Sequence, residues 1–351
     1  MHPPLAITLG DPAGIGPEIV AKYFVQAAAT DAWQDSVVFG DPAHLQRALD
    51  VLDMTDWRLQ LLQPGHALQA ATQPRTIAVA DPALWPGLPT ENAPPNADAL
   101  VPWGQVSARA GWLAAQAVVA ATQAALRGEV CAVVTAPLHK EALAAAGVDY
   151  PGHTELLQAQ AAAHQGVRVS DMPVRMMLAN DELRTVLVSI HVALREALDL
   201  VTTERVLQTI RITHDSLAKL LGHAPRIAVA GLNPHAGEGG LFGREDIEHI
   251  APAIAQAQGL GMNVSGPYAP DTVFMRARTG EFDVVVAMYH DQGLIPVKYL
   301  GLDEGVNVTL GLPLVRTSPD HGTAFDLAGT GRANPASLLA AVRMARRLTA
   351  A

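Results

Sequence analysis

The sequence predicts an α/β protein of two domains. Short β-branched apolar runs alternate with amphipathic helical stretches along 351 residues, and helical segments lie towards both ends. Several of the apolar runs also end alike, in a few polar residues rich in Gly, His, Asp or Asn. In α/β sheets, ligands bind beyond the carboxyl ends of the strands, so these ends are where function is sought. The length suffices for two domains or one large one with a sizeable core. With 49% hydrophobic and 17% charged residues, the chain has an ordinary globular composition. A net charge of -10 and a pI near 5.7 argue against a nucleic-acid backbone as the main partner, while leaving room for a locally basic site that takes a small anion.

The single cysteine, Cys131, lies in an apolar run and reads as a packing residue. It allows no disulfide framework within the chain, which fits a cytoplasmic location. The opening MHPPLAITLGDPAG has no basic region followed by a long apolar run, so it does not read as a signal peptide. The Ala-rich segment from Gly111 to Leu126 is broken by Trp112, Gln116, Thr122 and Gln123. It is too short and too polar for a membrane span and reads as a buried helix.

The first element is a strand, Leu5 to Leu9, followed by a glycine-rich turn from Gly10 to Gly16 and a helix with Pro17 and Glu18 in its first turn. The turn is not a Walker loop, because no Gly-Lys-Ser/Thr follows. Gly14-x-Gly16 also lacks the third glycine of the dinucleotide fingerprint. Residues 35 to 104 alternate short strands such as SVVFG and TIAVA with helices and loops, and the Pro-rich stretch 81 to 105 reads as a surface excursion or a dimer contact. After the Ala-rich helix comes a strand, Val130 to Val134, with Thr135, Ala136, Pro137, His139 and Lys140 at its carboxyl end. In PGHTELL, His153 and Thr154 open a helix, a natural anion site, though a capping Thr beside a surface His explains them equally well.

Two apolar runs, VRMMLAND and LRTVLVSIHVAL, are spaced as an antiparallel pair, with His191 after Val186 to Ile190. A helix over 196 to 221 follows. The strand Ile227 to Ala230 leads into Asn233, Pro234, His235 and a glycine-rich loop, and APDTVF then places Asp271. The run Val284 to Val286 leads into Tyr289, His290, Asp291, Gln292 and Gly293, with Lys298 beyond. The His290-Asp291 pair suits metal ligation or proton transfer, and equally a polar turn with a capping Asp. A lone histidine after a strand is more often structural. Three of them, His191, His235 and His290, are better explained by one shared divalent-metal site, since neutral imidazoles suit Zn or Co.

The last third holds the strand Val306 to Leu310 with Asn307, then Arg316, whose guanidinium suits a phosphate or carboxylate. The small-residue loop His321-Gly322-Thr323-Ala324 would let a nucleotide base lie over it, with Asp326 as an acceptor for ribose hydroxyls. An amphipathic helix from Pro335 closes the chain.

In this order GDPAGIGPE, TAPLHK, GHTE, LNPHAGEGG, MYHDQG, VNVTLGLP and RTSPDHGTAFDLAG resemble the 4-hydroxythreonine-4-phosphate dehydrogenase family of pyridoxal phosphate biosynthesis. The motifs run from near residue 7 to the last helix, with about 30 to 105 lacking any; GDPAGIGPE and HGTA are shared more widely with isocitrate and isopropylmalate dehydrogenases. The resemblance implies a two-domain isocitrate/isopropylmalate dehydrogenase-like fold of α/β/α layers, with a mixed sheet and an interdomain cleft. Residues 1–130 plus 300–351 would form the first domain, on the nucleotide side, and 131–299 the second, carrying metal ligands and dimerisation.

The resemblance also places the metal ligands on His191, His235 and His290, at the interface of a homodimer, with one divalent ion (Zn, Mg or Co) per site. It places substrate residues on His153, Thr154, Lys298, Asn307 and Arg316. By analogy with the wider fold, His321, Gly322, Thr323, Ala324, Asp326 and Asn334 would meet the adenosine half of NAD or NADP. The implied reaction is oxidation of 4-phosphooxy-L-threonine at C3, with hydride passing to NAD, followed by loss of CO2 to 3-amino-2-oxopropyl phosphate. Lys298, Asp271 or Asp291 would handle protons. One local departure is LIPVKYLGLDEG after HDQG, where some members have LPVLKY; the lysine is kept. A sister activity on 4-phospho-D-threonate or D-erythronate shares these residues. A phosphate acyltransferase is disfavoured by the three histidines, and a binding protein by an open metal site.

Overall fold

In the computed structural model, which describes residues 3–28, 35–85, 87–88, 93–94, 100–301 and 304–350, the chain folds into two compact α/β units. Unit 1 comprises residues 1–172 and 312–349; unit 2 comprises 173–311 with the last two residues.

Unit 1 contains β1 (Leu5–Thr8), β2 (Ser36–Phe39), β3 (Arg58–Leu61), β4 (Thr76–Ala80), β5 (Ala132–Thr135) and, after the chain returns, β12 (Val315–Pro319). They form a parallel sheet in the order β3-β4-β2-β1-β5-β12. Strands β1, β2, β4 and β5 are buried throughout. Helices on both faces of a parallel sheet demand this, and it explains the unbroken apolar runs. In register, Thr8 of β1 pairs with Thr135 of β5, and Val134 with Thr317 of β12, so three carboxyl ends lie side by side.

The helices of unit 1 are α1 (Gly16–Ala28), α2 (Pro42–Val51), α3 (Ala108–Leu126), α4 (Lys140–Ala145), α5 (His153–Gln165) and α11 (Ala336–Thr349). The Ala-rich helix α3 begins three residues before the expected Gly111, because Ser107 caps it through Ala110 N at 3.1 Å. Its small side chains let it lie close: a Cβ on Gly111 would fall 1.9 Å from Ala142 O of α4. Leu143, Leu156 and Leu157 pack with Ala115, Val118 and Val119 in one cluster.

Unit 2 contains β6 (Arg175–Ala179), β7 (Arg184–Leu187), β8 (Ile227–Ala230), β9 (Val264–Tyr268), β10 (Val284–Ala287) and β11 (Val306–Leu310), in the order β11-β6-β7-β10-β8-β9. The pairs β11/β6 and β6/β7 are antiparallel, and the rest are parallel. Its helices are α6 (Leu194–Asp199), α7 (Thr203–Leu221), α8 (Ala251–Gly259), α9 (Val273–Arg278) and α10 (His290–Leu300). The single helix expected over 196–221 is two. Thr202 leaves helical geometry and caps α7 through Arg205 N.

The domain boundaries differ from those expected at 130/131 and 299/300. Residues 131–172 stay in unit 1, because β5 pairs with β1 and α4 and α5 pack on α3. Residues 300–311 belong to unit 2, because β11 pairs with β6. Part of the Pro-rich excursion (86, 89–92 and 95–99) lies outside the described residues. Gly87 and Leu88 within it both donate to Gln116 Oε1 at 2.8 Å. Among the described residues, no helix is long and apolar enough to cross a membrane.

Candidate active site

In unit 2 the parallel strands β7, β10 and β8 carry the three histidines beyond their carboxyl ends. The chain after β7 is tied to the chain after β10 by Val188 N to Ala287 O (2.9 Å), Ser189 N to Met288 O (3.2 Å) and Ser189 Oγ to Met288 O (2.9 Å). These bonds bring the His191 and His290 rings to 5.7 Å between centroids. His191 sits at φ +31, a strained conformation for a side chain with a Cβ, of the kind that collects at functional sites. His290 is the first residue of α10, and not part of the polar turn that was the alternative reading of this stretch. Its Nδ1 lies 2.7 Å from Asp291 Oδ1, which leaves Nε2 as the ring's outward nitrogen. A carboxylate behind a ligating imidazole is the usual way to fix its orientation and raise its basicity. Both rings line a cavity of about 270 Å³ with Ser189, Tyr289 and Asp291.

His235 follows β8 in a loop where His235, Ala236, Gly237, Glu238 and Gly239 all have positive φ. Such a run of left-handed residues needs an external anchor, and Asp246 supplies one. This buried carboxylate accepts from Leu232 N (2.8 Å), Asn233 N (3.2 Å) and Asn233 Nδ2 (2.9 Å). The close fit requires Gly231, where a Cβ would meet Asp246 Oδ1 at 2.7 Å. Gln292 ties this region to α10, accepting from Met288 N (2.7 Å) and donating to Gly231 O (2.8 Å). His235 and Asp271 line a second cavity of about 690 Å³, whose wall again includes Tyr289 and Asp291.

The histidines therefore occupy two adjoining cavities with a common wall. His191 and His290 stand in one and His235 in the other. Among the described residues, no group of three or more His, Cys, Asp or Glu side chains is placed to hold a metal ion. The donor types suit a divalent cation; the spacing within one subunit does not close a three-ligand set. Lys298 lies in the last turn of α10, roughly 12 Å along the axis from His290, and lines neither cavity. Asn307 is half-buried on β11, paired in register with Leu178.

In unit 1, Arg316 on β12 is buried, and its Nε and Nη2 donate to Thr135 Oγ1 at 3.2 and 2.7 Å. Burial pulls its guanidinium down to about 10, with the Glu155 carboxylate opposing that fall. His153 begins α5. Burial first, and then the Arg316 charge, hold its imidazole well below the usual range, and its Nε2 is buried without a hydrogen-bond partner. Gly152 caps this helix and, having no side chain, contributes no capping bond to the first-turn amides, beside which Thr154 stands. A buried cation, a neutral imidazole and a helix N-terminus thus meet at one place. That is an environment for an anion.

The loop after β12 carries the residues assigned to adenosine. His321 Nδ1 lies 3.0 Å from Gly322 O, Thr323 O accepts from Ile15 N at 3.0 Å, and Ala324 has φ +41. Asp326 is exposed. Asn334 has a structural duty, because its Oδ1 accepts from Ala336 N (3.0 Å) at the start of α11. No sign in the sequence marked Asp246, and Asp11 and His139 entered only as members of GDPAGIGPE and TAPLHK, with no role for either. Asp11 is buried, accepts from Ala13 N at 2.8 Å, and is pushed up to about 6 mainly by burial. The His139 ring stacks on Phe325 at 4.8 Å and 14°. The signals for Asp11 were its place in the GDPAGIGPE motif and its position three residues beyond β1.

Three comparisons bear on this geometry. The sequence model of the family described as "Pyridoxal phosphate biosynthetic protein PdxA" matches residues 32–345. A 4-hydroxythreonine-4-phosphate dehydrogenase from Beijerinckia indica is 50% identical, covering 98% of this chain and 95% of that protein. A D-threonate 4-phosphate dehydrogenase from Salmonella typhimurium is 46% identical, covering 98% of each. The crystal structure of 4-hydroxythreonine-4-phosphate dehydrogenase from Klebsiella pneumoniae superposes with a TM-score of 0.83 at 40% identity, covering 99% of each chain.

Proposed function

Since the chain belongs to the PdxA family of pyridoxal phosphate biosynthetic proteins and is a dehydrogenase of that type, we propose that it oxidises 4-phosphooxy-L-threonine at C3 with NAD or NADP and a divalent ion. The β-keto acid so formed loses CO2 to give 3-amino-2-oxopropyl phosphate. The observation that carries this reading is the buried Arg316 beside His153 at the start of α5, an anion site suited to a phosphorylated substrate. Arg316 binds and orients the phosphate or carboxylate. His153, held neutral, donates or accepts a hydrogen bond there without adding charge, and Thr154 offers its hydroxyl. Lys298 and Asn307 are assigned to the same substrate by family resemblance.

His191, His235 and His290 would hold the divalent ion (Zn, Mg or Co), two of them walling one cavity and the third its neighbour. The bound groups supply Lewis acidity towards the substrate hydroxyl and acceptance of hydride. Asp291 orients the His290 ring, and Asp271, which lines the His235 cavity, is the group assigned here to proton transfer. The loop 321–326 with Asn334 would take the adenosine half of the cofactor. The working unit is a homodimer with its active site at the subunit interface. Exposed Leu194, Leu241 and Phe242 near the histidines support an apolar contact there. A cytoplasmic location fits this chemistry.

A second reading, 4-phospho-D-threonate as substrate, is favoured by the Salmonella relative. NADH formation separates the two when 4-phosphooxy-L-threonine and 4-phospho-D-threonate are compared with and without divalent metal. Faster turnover of the D-threonate ester would replace the first reading by the second. Turnover of neither would remove both.

A further inference from the structure

We propose that Glu18 and Lys22, one turn apart on α1, are positioning residues that hold the 323–334 loop in the shape that takes the adenosine half of the cofactor. This rests on the assignment of that loop to adenosine given above. Neither residue belongs to any recognised ligand set, and both lie on a helix whose sequence otherwise reads as packing.

The loop holds itself only by local turns. It contains no regular element, Gly329 and Gly331 adopt φ +78 and +70, and its internal bonds span two or three residues each: Leu327 N to Ala324 O, Thr330 N and Thr330 Oγ1 to Leu327 O, and Arg332 N to Thr330 Oγ1. Its shape is set from outside. Lys22 Nζ donates to Gly331 O at 2.8 Å and to Ala333 O at 2.6 Å. Glu18 is fully buried, and its Oε1 accepts from Gly329 N. One acid and one base on a single helical face thus bind a donor and two acceptors of the loop backbone within five residues.

The opposite side of Gly329 is also closed. A Cβ there would come within 2.6 Å of the Trp103 ring, and the Arg47 guanidinium lies over that ring at 3.6 Å. Arg47 in turn donates to Pro12 O and Val101 O. The loop is therefore gripped between α1 and the 101–104 segment, while Asp326 at its outer turn stays exposed. A buried carboxylate and a lysine joined to main-chain groups are costly as plain packing, because their desolvation is offset only while those bonds are kept. A loop that merely covered the core would be served as well by apolar side chains.

The test uses the full chain. In Lys22→Met the stem is kept and the donors are lost, and in Glu18→Gln the shape is kept and the charge is removed. Calorimetric titration with NAD should show Kd raised about 10-fold or more in Lys22→Met, and less in Glu18→Gln, as expected for charge-assisted bonds. Lys22→Arg, which keeps a charged donor, should recover most of the affinity. KM for the phosphorylated substrate and kcat at saturating NAD should stay near the parent values, a split that a merely structural role would not give. Unchanged NAD affinity in folded Lys22→Met, or equal losses for both ligands, overturns the inference. Hydrogen exchange of the parent distinguishes the two levels. Protection of 323–334 by NAD together with unchanged NAD affinity in Lys22→Met sinks the positioning role alone. No protection there removes the adenosine assignment and this inference with it.

Discussion

Arg316 shows how much a single side chain is asked to do. Its burial brings the guanidinium down to about 10, so it remains charged at neutral pH, and its two bonds to Thr135 fix the plane of the fork. Lysine would keep the charge and lose the fork. Arg316→Lys should therefore raise KM for the phosphorylated substrate roughly 10- to 100-fold, with little change in the KM for NAD. An unchanged substrate KM would show that Arg316 does not touch it. Asp11 makes a different point. Burial raises its carboxyl to about 6 from 3.8, so the folded state favours the protonated form. Its stabilising contribution is full below 3.8 and is lost as pH rises through about 6. Asp11→Asn keeps the acceptor for Ala13 N while removing the ionisation. Relative to the parent, it should gain on the order of 2 kcal/mol more at pH 8 than near pH 4.5, read from urea unfolding. An equal effect at both pH values would mean that Asp11 is not protonated on folding.

At the level of elements, the loop after β8 and the start of α10 are built differently. His290 is set by a regular helix and one carboxylate neighbour. His235 sits in a left-handed run that Asp246 holds by three N–H groups. Asp246→Asn puts an amide NH2 among those donors and should cost on the order of 2 kcal/mol of stability. It should also weaken metal binding roughly 10-fold, since a supporting group orients the ligand. Zinc titration followed by calorimetry reads the second effect, and parent-like affinity would count against Asp246 as His235's support. These elements also show what the sequence could tell. Ile227–Ala230 and Val284–Ala287 were legible because parallel strands buried on both faces read as unbroken apolar runs. The histidines were legible because each follows such a run. Asp246 was not, since its partners lie 13 and 14 positions away across a loop with no period. Lys22 was not either, because the carbonyls it binds are 309 and 311 positions distant. The boundary at 172/173 was hidden for the same reason: β5 belongs with β1 by pairing across more than a hundred residues, which local pattern does not record.

For the whole molecule, the question is how the three imidazoles, which stand in two cavities, could serve the single ion proposed for them. Within a subunit, His191 and His290 share a cavity while His235 stands in the next, and the wall between them includes Tyr289 and Asp291. Leu194 (60% exposed), Leu241 (73%) and Phe242 (46%) lie close by in sequence to His191 and His235. Apolar side chains so exposed are the expected cost of an interface, and a two-fold partner presenting the same surface would bring one protomer's His235 towards the other's His191 and His290. Two inactive variants test this. In a mixed dimer of His191→Ala with His235→Ala, sites that draw ligands from both chains sort themselves. One site collects both altered residues and the other keeps all three histidines. Activity should return to at most about half of the parent dimer's for every heterodimer formed, by that count of intact sites. If each site belonged to one chain, both sites of the heterodimer would lack a ligand and activity would stay absent. Refolding the two variants together, isolating the heterodimer by differential tags and assaying it with added zinc gives the answer. A confirmed heterodimer that remains inactive and binds no metal would put His191 and His235 of a site on the same chain and overturn this arrangement.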